Sequence, residues 1–405
     1  MKKLINRIAE NERKYVLEVL DTDFCSSKSS MMMTRLEQYF AKVFDVNYAI
    51  SHINGTATLH CAIAAAGVNA GDEVIVPPLT MSSTTFAVLQ NNAVPVFADV
   101  DEKTFNIDPK SIRENITDKT KAIMPVSLYG LPCDSQEIRR IANEYGIKVI
   151  EDNAECLGGK INGIYAGKFS HMTSFSFQSS KHITSGEGGM VITDDETLAM
   201  NLRRFSCLGY AGVGAKKGKI TRDDIQSPEY ERHCSMGWNY RLPELCAAVA
   251  LAQMERMEEL VSRREDVAGL FMSKIEDCEW LTPQFVPKGY ENSYWTLAVQ
   301  LDTDHVPWHE FRDKYRDNGG DGIYAAWQLA YLEPMFQQTV LEGREIFFHE
   351  PFNSRAISQY KRGLCPVAEK LQPRMLQFKT NYWNWEEAEK QADILTKTIR
   401  YFNKK

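Results

Sequence analysis

The sequence predicts an α/β fold in which a large domain with a mostly parallel sheet is followed by a smaller C-terminal α+β domain. Between about residues 50 and 200, short apolar segments alternate with helix-like segments, as in parallel sheets covered by helices. Beyond Pro243 the alternation stops, and a long helical segment leads into shorter strand-like pieces. A chain of 405 residues is also too long for one simple core. We therefore expect a large domain over residues 1–260 and a small domain over residues 261–405.

The N-terminal segment predicts a surface helix. It begins with basic residues, but Asn6, Arg7 and Glu10 soon interrupt its apolar residues. A secretory signal would keep an uninterrupted apolar stretch at this point, and no apolar run in the chain approaches the length that crosses a bilayer. We therefore expect a cytoplasmic protein that has no membrane segment.

Short apolar runs predict the strands of the large domain. Each run is continuous, as expected of a strand that is buried on both faces. In chain order they cover residues 73–78, 95–100, 121–126, 148–153, 174–178 and 190–195.

One helix between these strands is well marked. Asp134 can cap its start together with Glu137, and Gly146 ends it. The predicted apolar stripe of this helix is Ile138, Ile141, Ala142 and Tyr145.

The second half of the chain predicts a connector and a smaller domain. Pro243 begins a single long helix that continues to about residue 266. A strand is expected over residues 294–301, and a last helix begins at Asn384 with Glu387 as its capping partner. The residues that this last helix is expected to bury are Ala388, Ala392, Leu395, Ile399 and Phe402.

Charge and cysteine content exclude several classes of protein. A formal net charge of −7 argues against a nucleic-acid-binding surface, which needs a basic face. The nine cysteines are scattered and form no CxxC pair, so neither a zinc site nor a disulfide framework is expected.

An acid and a lysine carry the strongest chemical indication. Asp152 ends a predicted strand, at the edge where open α/β sheets bind ligands. Lys181 lies among small residues, between Ser179-Ser180 and Ser185-Gly186, which leave room for a flat ring. A lysine amine can form a Schiff base with an aldehyde, and an acid can keep a pyridine nitrogen protonated. The two residues together predict a bound pyridoxal 5′-phosphate (PLP).

A phosphate-binding element precedes them in the chain. Asn54, Gly55 and Thr56 begin a helical run, where backbone N–H groups and a hydroxyl can hold an anion. Ser176 can add a second hydroxyl. Gly55-Thr56 alone would be no more than a helix cap, but combined with Lys181 it supports a PLP site.

Together these motifs resemble the DegT/DnrJ/EryC1/StrS family of sugar aminotransferases, a group of PLP enzymes of fold type I. The resemblance covers nearly the whole chain. Its motifs are Asn54-Gly55-Thr56, residues 71–77, Glu151-Asp152, Phe175-Ser176-Phe177, Lys181 with residues 186–189, and residues 237–241.

The resemblance implies a role for each matching residue. Lys181 would be the Schiff-base lysine and proton shuttle, and Asp152 the partner of the pyridine nitrogen. The phosphate would be held by Gly55, Thr56 and Ser176. Asn239 would reach the phosphate of the neighbouring subunit, which implies a homodimer with shared active sites.

Two positions depart from the pattern that the family usually shows. Met81 replaces an aromatic residue that stacks on the cofactor ring, and a thioether can still pack there. Glu155 replaces a Gln or His near the cofactor hydroxyl, and its acid can carry or accept a proton. Both residues are therefore predicted to contact the cofactor.

The implied reaction moves an amino group from L-glutamate to a keto-sugar used in cell-surface polysaccharide or lipopolysaccharide biosynthesis. A sugar 3-dehydratase is an alternative, but those relatives have a His in place of the Schiff-base lysine, whereas here Lys181 is present and His182 follows it. A PLP-binding regulator would need a DNA-binding module, which the sequence does not show. A nicotinamide-dependent enzyme would need a glycine fingerprint after its first strand, and the absence of one counts against this alternative.

The acceptor sugar is the least determined part of the prediction. Residues 319–335 replace the basic and aromatic segment that we would expect around a nucleotide-linked sugar. With Glu155, they resemble the branch that makes 8-amino-3,8-dideoxy-manno-octulosonate, which predicts the 8-keto-3,8-dideoxy sugar as acceptor. A nucleotide-linked 3- or 4-keto-6-deoxysugar is the alternative.

Overall fold

The computed structural model describes residues 4–24, 30–218, 225–337 and 360–404. The first half of the chain alternates helices with strands, as the sequence predicts. Its helices are α1 (Glu10–Leu20), α2 (Met32–Phe44), α3 (Gly55–Ala65), α4 (Ser83–Gln90), α5 (Pro109–Asn115), α6 (Ser135–Tyr145) and α7 (Glu196–Ser206). Its strands are β1 (Tyr48–His52), β2 (Glu73–Val76), β3 (Val94–Phe97), β4 (Thr120–Ile123), β5 (Lys148–Asp152), β6 (Lys160–Ile161), β7 (Ile164–Tyr165), β8 (Met172–Ser176) and β9 (Gly189–Thr193).

A seven-stranded sheet forms the centre of the large domain, in the order β1-β9-β8-β5-β4-β2-β3. Strands β8, β5, β4, β2 and β3 pair in parallel, and β9 runs antiparallel to both of its neighbours. The prediction of an α/β fold with a mostly parallel sheet is confirmed. Every predicted strand of this sheet is present, whereas β1, which carries the polar Ser51 and His52, was not predicted.

Strand β2 shows why these runs are apolar throughout. Val74 and Val76 lie in one core, together with Leu59 of α3, while Ile75 lies in another core with Ile138 of α6. Alternate residues of the strand thus contact helices on opposite faces of the sheet. Both faces are buried, so the strand has no polar side.

Helix α6 confirms its predicted caps but not its whole stripe. The side chain of Asp134 accepts a hydrogen bond from the N–H of Glu137, and Gly146 ends the helix with φ of 66°. Ile138, Ile141 and Ala142 are buried. Tyr145 is 50% exposed, so its place in the stripe was wrong. It is the last helical residue, directly before the left-handed Gly146.

The predicted single connector helix is two helices, α8 (Glu244–Met254) and α9 (Met257–Ile275). Arg256 lies between them with φ of −113° and ψ of 15°, outside helical values. Its guanidinium donates hydrogen bonds to the carboxylate of Glu12 and to the carbonyl of Asn6. These contacts with the distant N-terminal segment accompany the break, and the local sequence does not show them.

The small domain follows helix α9. Its elements are β10 (Leu281–Pro283), β11 (Tyr290–Glu291), β12 (Thr296–Leu301), α10 (Trp308–Asp317), α11 (Pro334–Gln337), α12 (Pro366–Leu371), β13 (Met375–Lys379) and α13 (Trp385–Phe402). Three of the strands form an antiparallel sheet in the order β10-β12-β13, and α9, α10 and α13 pack on it.

Helix α13 begins after Asn384 as predicted, and the five residues expected to be buried in it are all buried. The N–H that Asn384 accepts from is that of Glu386, not that of Glu387.

Helix α9 belongs to both domains. Leu260 and Val261 lie in a core of the large domain, whereas Val267 and Phe271 lie in the core of the small domain. The predicted boundary at residue 260 therefore falls inside a helix.

Three further observations concern the described ranges alone. No helix within them is both long and apolar enough to cross a membrane. They contain no group of three or more His, Cys, Asp or Glu side chains arranged to bind a metal ion. The eight cysteines within them are all free.

Candidate active site

A cavity of about 500 Å³ lies where β5 and β8 end and α3 begins. Such edges are where open α/β sheets bind their ligands. All but one of the predicted site residues line this cavity: Gly55, Thr56, Met81, Asp152, Glu155, Ser176 and Lys181. The fold therefore brings together residues that span more than a hundred positions of the sequence.

Lys181 projects into the cavity and is held between an acid and an aromatic ring. Its side chain is 14% exposed, and its Nζ lies 3.4 Å from Oε1 of Glu155. The same nitrogen lies 4.4 Å from the centre of the Trp295 ring, within cation–π range. The amine is thus confined but open to a ligand in the cavity.

Asp152 ends β5 and is buried. Its Oδ2 accepts a hydrogen bond of 2.9 Å from the hydroxyl of Thr84, and its Oδ1 accepts one of 3.1 Å from the N–H of Ala154. Burial raises the pKa of the Asp152 carboxyl. A cationic partner in the cavity, such as a protonated pyridine nitrogen, would favour its charged form.

Glu155 contacts Lys181 directly. Besides its ion pair with Lys181, its Oε2 accepts a hydrogen bond of 3.2 Å from the N–H of Tyr129. Tyr129 has φ of 63°, in the left-handed region that few non-glycine residues adopt. Burial raises the pKa of Glu155, and the nearby Lys181 opposes this shift. The acid that departs from the family pattern is therefore well placed to share a proton with the lysine.

The start of α3 forms a narrow anion-binding corner. The side chain of Asn54 caps the helix by accepting the N–H of Ala57 at 2.8 Å, and the first N–H groups of a helix have no acceptor within it. The hydroxyl of Thr56 donates to Ser83 at 3.1 Å. A Cβ on Gly55 would lie 2.8 Å from Cβ of Ser176, so only glycine lets the helix come this close to β8.

The cavity fits PLP in each of its chemical requirements. An amine, a buried acid and a helix N-terminus with hydroxyl groups line one space, and Met81, Val126 and Trp295 supply apolar walls. PLP needs a lysine for its aldehyde, an acid for its ring nitrogen and an anion site for its phosphate.

The sequence did not predict several residues of this site. Trp295 comes from the small domain and Thr84 from α4, and each contacts a predicted residue that is distant in sequence. A tryptophan and a threonine have no spacing pattern that would reveal such contacts.

His182 and Asn239 lie outside the cavity. His182 is buried, and its Nε2 lies 3.0 Å from the carbonyl oxygen of Ser293. Burial holds its pKa well below the ordinary value, which keeps the ring neutral. Asn239 is exposed and lies beside Cys207 in an isolated bridge. Its predicted contact with a partner subunit stays a prediction.

A second cavity, of about 480 Å³, shares Ser180, Trp295 and Trp327 with the first. Tyr324 and Lys379 also line it. Aromatic and basic side chains thus line the space next to the first cavity. Residues 319–335 supply the aromatic side chains, and the lysine comes from β13, which is distant in sequence.

Comparison with known proteins also indicates a PLP enzyme, in agreement with the residues that line the cavity. The sequence model of the DegT/DnrJ/EryC1/StrS aminotransferase family matches residues 6–377. The GDP-perosamine synthase of Escherichia coli O157:H7 is 35% identical over 330 residues, which cover 81% of this chain and 84% of that protein.

Solved structures agree as well. An aminotransferase from Psychrobacter cryohalolentis superposes with a TM-score of 0.83 at 28% identity, covering 98% of each chain. The E. coli GDP-4-keto-6-deoxy-D-mannose-3-dehydratase with bound hydrated PLP has a TM-score of 0.80 at 25% identity, covering 96% of this chain and 98% of that one. The chain therefore belongs to the DegT/DnrJ/EryC1/StrS aminotransferase family and is a PLP-dependent sugar aminotransferase.

Proposed function

We propose that the acceptor is a 4-keto-6-deoxysugar linked to a nucleoside diphosphate, and that L-glutamate is the amino donor. The observation that carries this proposal is the similarity to GDP-perosamine synthase over 81% of the chain. That name describes an amino sugar on a guanosine diphosphate. It favours the nucleotide-linked alternative over the 8-keto-3,8-dideoxy-manno-octulosonate that the sequence alone suggested.

The second cavity supports the same choice. A nucleotide-linked substrate is longer than its sugar and needs room beyond the cofactor, and this cavity continues past Trp295 and Trp327. Tyr324 and Trp327 offer aromatic faces for a base. Lys379 lies at the same cavity, where its Nζ pairs with Asp321 at 2.8 Å and can also contact a phosphate. A free octulosonate could place its carboxylate near Lys379, but it has no base for the aromatic faces.

In this function some residues of the first cavity bind the cofactor and others transfer or position a proton. PLP, when bound, supplies a ring that withdraws electrons from the carbon bearing the amino group. We propose that Asp152 holds the ring nitrogen, while Gly55, Thr56 and Ser176 hold the phosphate. Met81 packs against the ring. Lys181 Nζ, as the neutral amine, takes the proton from the α-carbon of the donor, and Glu155, 3.4 Å away, orients that nitrogen.

The proposal includes a homodimer with shared active sites. Asn239 is exposed and lies outside the cavity of its own chain, as a residue that serves a partner's phosphate would be. The family resemblance supports this role.

A direct assay tests the acceptor. Purified enzyme with L-glutamate is offered either a GDP- or UDP-linked 4-keto-6-deoxysugar or 8-keto-3,8-dideoxy-manno-octulosonate, and aminated product is measured by mass spectrometry. We expect amination of a nucleotide-linked sugar and not of the octulosonate. The Lys181→Ala variant provides the background. Amination of the octulosonate alone would overturn the proposal, while bleaching of the cofactor by L-glutamate tests the donor separately.

A further inference from the structure

Two arginines converge on the backbone of the segment that carries Lys181. Nη2 of Arg264, on α9, donates hydrogen bonds to the carbonyl oxygens of Ser180 at 2.8 Å and of Lys181 at 3.0 Å. Nη2 of Arg7, in the N-terminal segment, donates to the carbonyl oxygens of Ser179 at 2.5 Å and of Lys181 at 3.1 Å. The carbonyl of Lys181 is thus bound by two guanidinium groups that come from segments far apart in the sequence.

The other half of the Arg264 guanidinium binds the residue that faces the lysine amine. Its Nη1 donates to the carbonyl of Trp295 at 2.8 Å and contacts the hydroxyl of Thr380 at 3.3 Å. The indole N–H of Trp295 in turn donates to the carbonyl of Ser180 at 3.1 Å. One planar group therefore fixes Lys181 and Trp295 relative to each other, across the joint between the two domains.

Burying the Arg264 guanidinium carries a free-energy cost. It is only 1% exposed, and in the part of the chain that the structure describes no carboxylate lies within ion-pair distance of it. Burial lowers its pKa to about 9. A buried cation without a counter-charge is destabilising, but only arginine offers a rigid fork of donors that can reach four acceptors at once.

We propose that Arg264 and Arg7 are positioning residues for Lys181. They hold its backbone so that the amine stays beside Glu155 and Trp295, where it can transfer a proton. Proton transfer depends steeply on the placement of the transferring group. The inference concerns the donor half of the reaction and does not depend on which sugar is the acceptor.

The test uses Arg264→Lys and Arg7→Met in the PLP-loaded protein. Two quantities are measured: the visible circular dichroism per bound cofactor, and the single-turnover rate with saturating L-glutamate. We expect weaker dichroism in both variants, because the lysine and its cofactor are less fixed. We also expect a rate lower by about 10- to 100-fold, with the half-saturating glutamate concentration changed by less than about threefold.

Arg203→Lys is the matched control. Arg203 is equally buried, but it pairs with Glu37 on α2 and makes no contact with the lysine segment. We expect this variant to lose thermal stability and to keep wild-type dichroism and rate.

The proposal is overturned if both Arg264→Lys and Arg7→Met stay within twofold of wild type in dichroism and rate, or if Arg203→Lys changes these quantities as much. Should Arg264→Lys fail to fold, Arg7→Met decides the question, because the Arg7 side chain is only half-buried.

Discussion

Among single residues, Lys181 is the one that the family resemblance associates with adding nitrogen rather than eliminating a hydroxyl. The family resemblance associates a histidine at its position with dehydration. Here the amine lies 3.4 Å from Glu155, and the adjacent His182 is buried against the carbonyl of Ser293, outside the cavity. His182 therefore does not lie where it could replace the lysine amine in the cavity.

Replacing the lysine tests its role. In Lys181→Ala we expect amination of the sugar to fall by at least about a thousandfold, because both the cofactor attachment and the general acid–base group are lost. Far-ultraviolet circular dichroism should stay that of a folded protein, since the side chain makes one ion pair and one cation–π contact, both at the cavity. Turnover like that of wild type would contradict the assignment.

The sequence identified those site residues whose type and position in a motif indicate a chemical role. Asp152 ends a strand, Gly55 begins a helix and Lys181 follows a strand, so their positions in the fold could be inferred. Thr84 and Trp295 could not be found this way, because each reaches its partner from a segment that is distant in sequence. Side-chain contacts between remote segments have no local pattern.

Among the elements, the close approach of α3 to β8 sets the geometry of the anion-binding corner. Gly55 and Ser176 meet there with no space for another methyl group. Because a helix N-terminus binds an anion through its backbone, a small shift of α3 changes the site more than the loss of one hydroxyl would.

Gly55→Ala tests this contact. The added Cβ would lie 2.8 Å from Ser176 Cβ, so α3 must move away. Overpacking of this kind lowers folding stability by about 1–3 kcal/mol. It also displaces the N–H groups at the start of α3, so we expect PLP affinity, measured by absorbance titration, to fall by about 10- to 100-fold. Gly269→Ala in α9, where a Cβ meets open space, is the control and should bind PLP like wild type. Equal affinity of the two variants would show that the contact is not limiting.

The end of β5 concentrates buried acids and predicts a pH dependence. Burial raises the pKa of Glu151, Asp152 and Glu155. The folded apoprotein thus keeps protons that the unfolded chain releases near pH 4. Its stability should fall as the pH rises from that value through the raised pKa values.

Glu151→Gln isolates one of these contributions. Glu151 accepts hydrogen bonds from Ser127 and Ser170 on its two separate oxygens. In glutamine the amide oxygen can accept one of these bonds, and the amide N–H can donate to the other hydroxyl. We expect the melting temperature of the apo variant, measured by calorimetry, to fall less steeply with pH than that of the apo wild type. Identical slopes would show that Glu151 does not titrate abnormally.

For the whole molecule, the class of fold was predictable and the joining of its domains was not. Strands buried on both faces give continuous apolar runs, as in β2, and such runs are easily recognised. The break at Arg256 occurs where its side chain contacts Asn6 and Glu12, about 250 residues earlier. No window of local sequence contains both sides of that interaction.

Hybrid dimers test the proposed sharing of active sites. Lys181→Ala and Asn239→Ala subunits, each nearly inactive alone, are mixed after unfolding or by coexpression. If Asn239 serves the partner's site, each hybrid has one intact site, and random mixing should restore roughly a quarter of wild-type activity. If Asn239 acts in its own chain, mixing restores nothing. A monomer in size-exclusion chromatography would also contradict the proposal.

Helix α9 has a practical consequence for attempts to change the acceptor by exchanging small domains with a relative. A crossover at residue 260 would cut the helix. One before Met257 would leave Leu260 and Val261 of foreign sequence against the native large domain, and one after Ile275 would leave Val267 and Phe271 against a foreign sheet. Either chimera therefore needs one half of α9 redesigned to match its new neighbours.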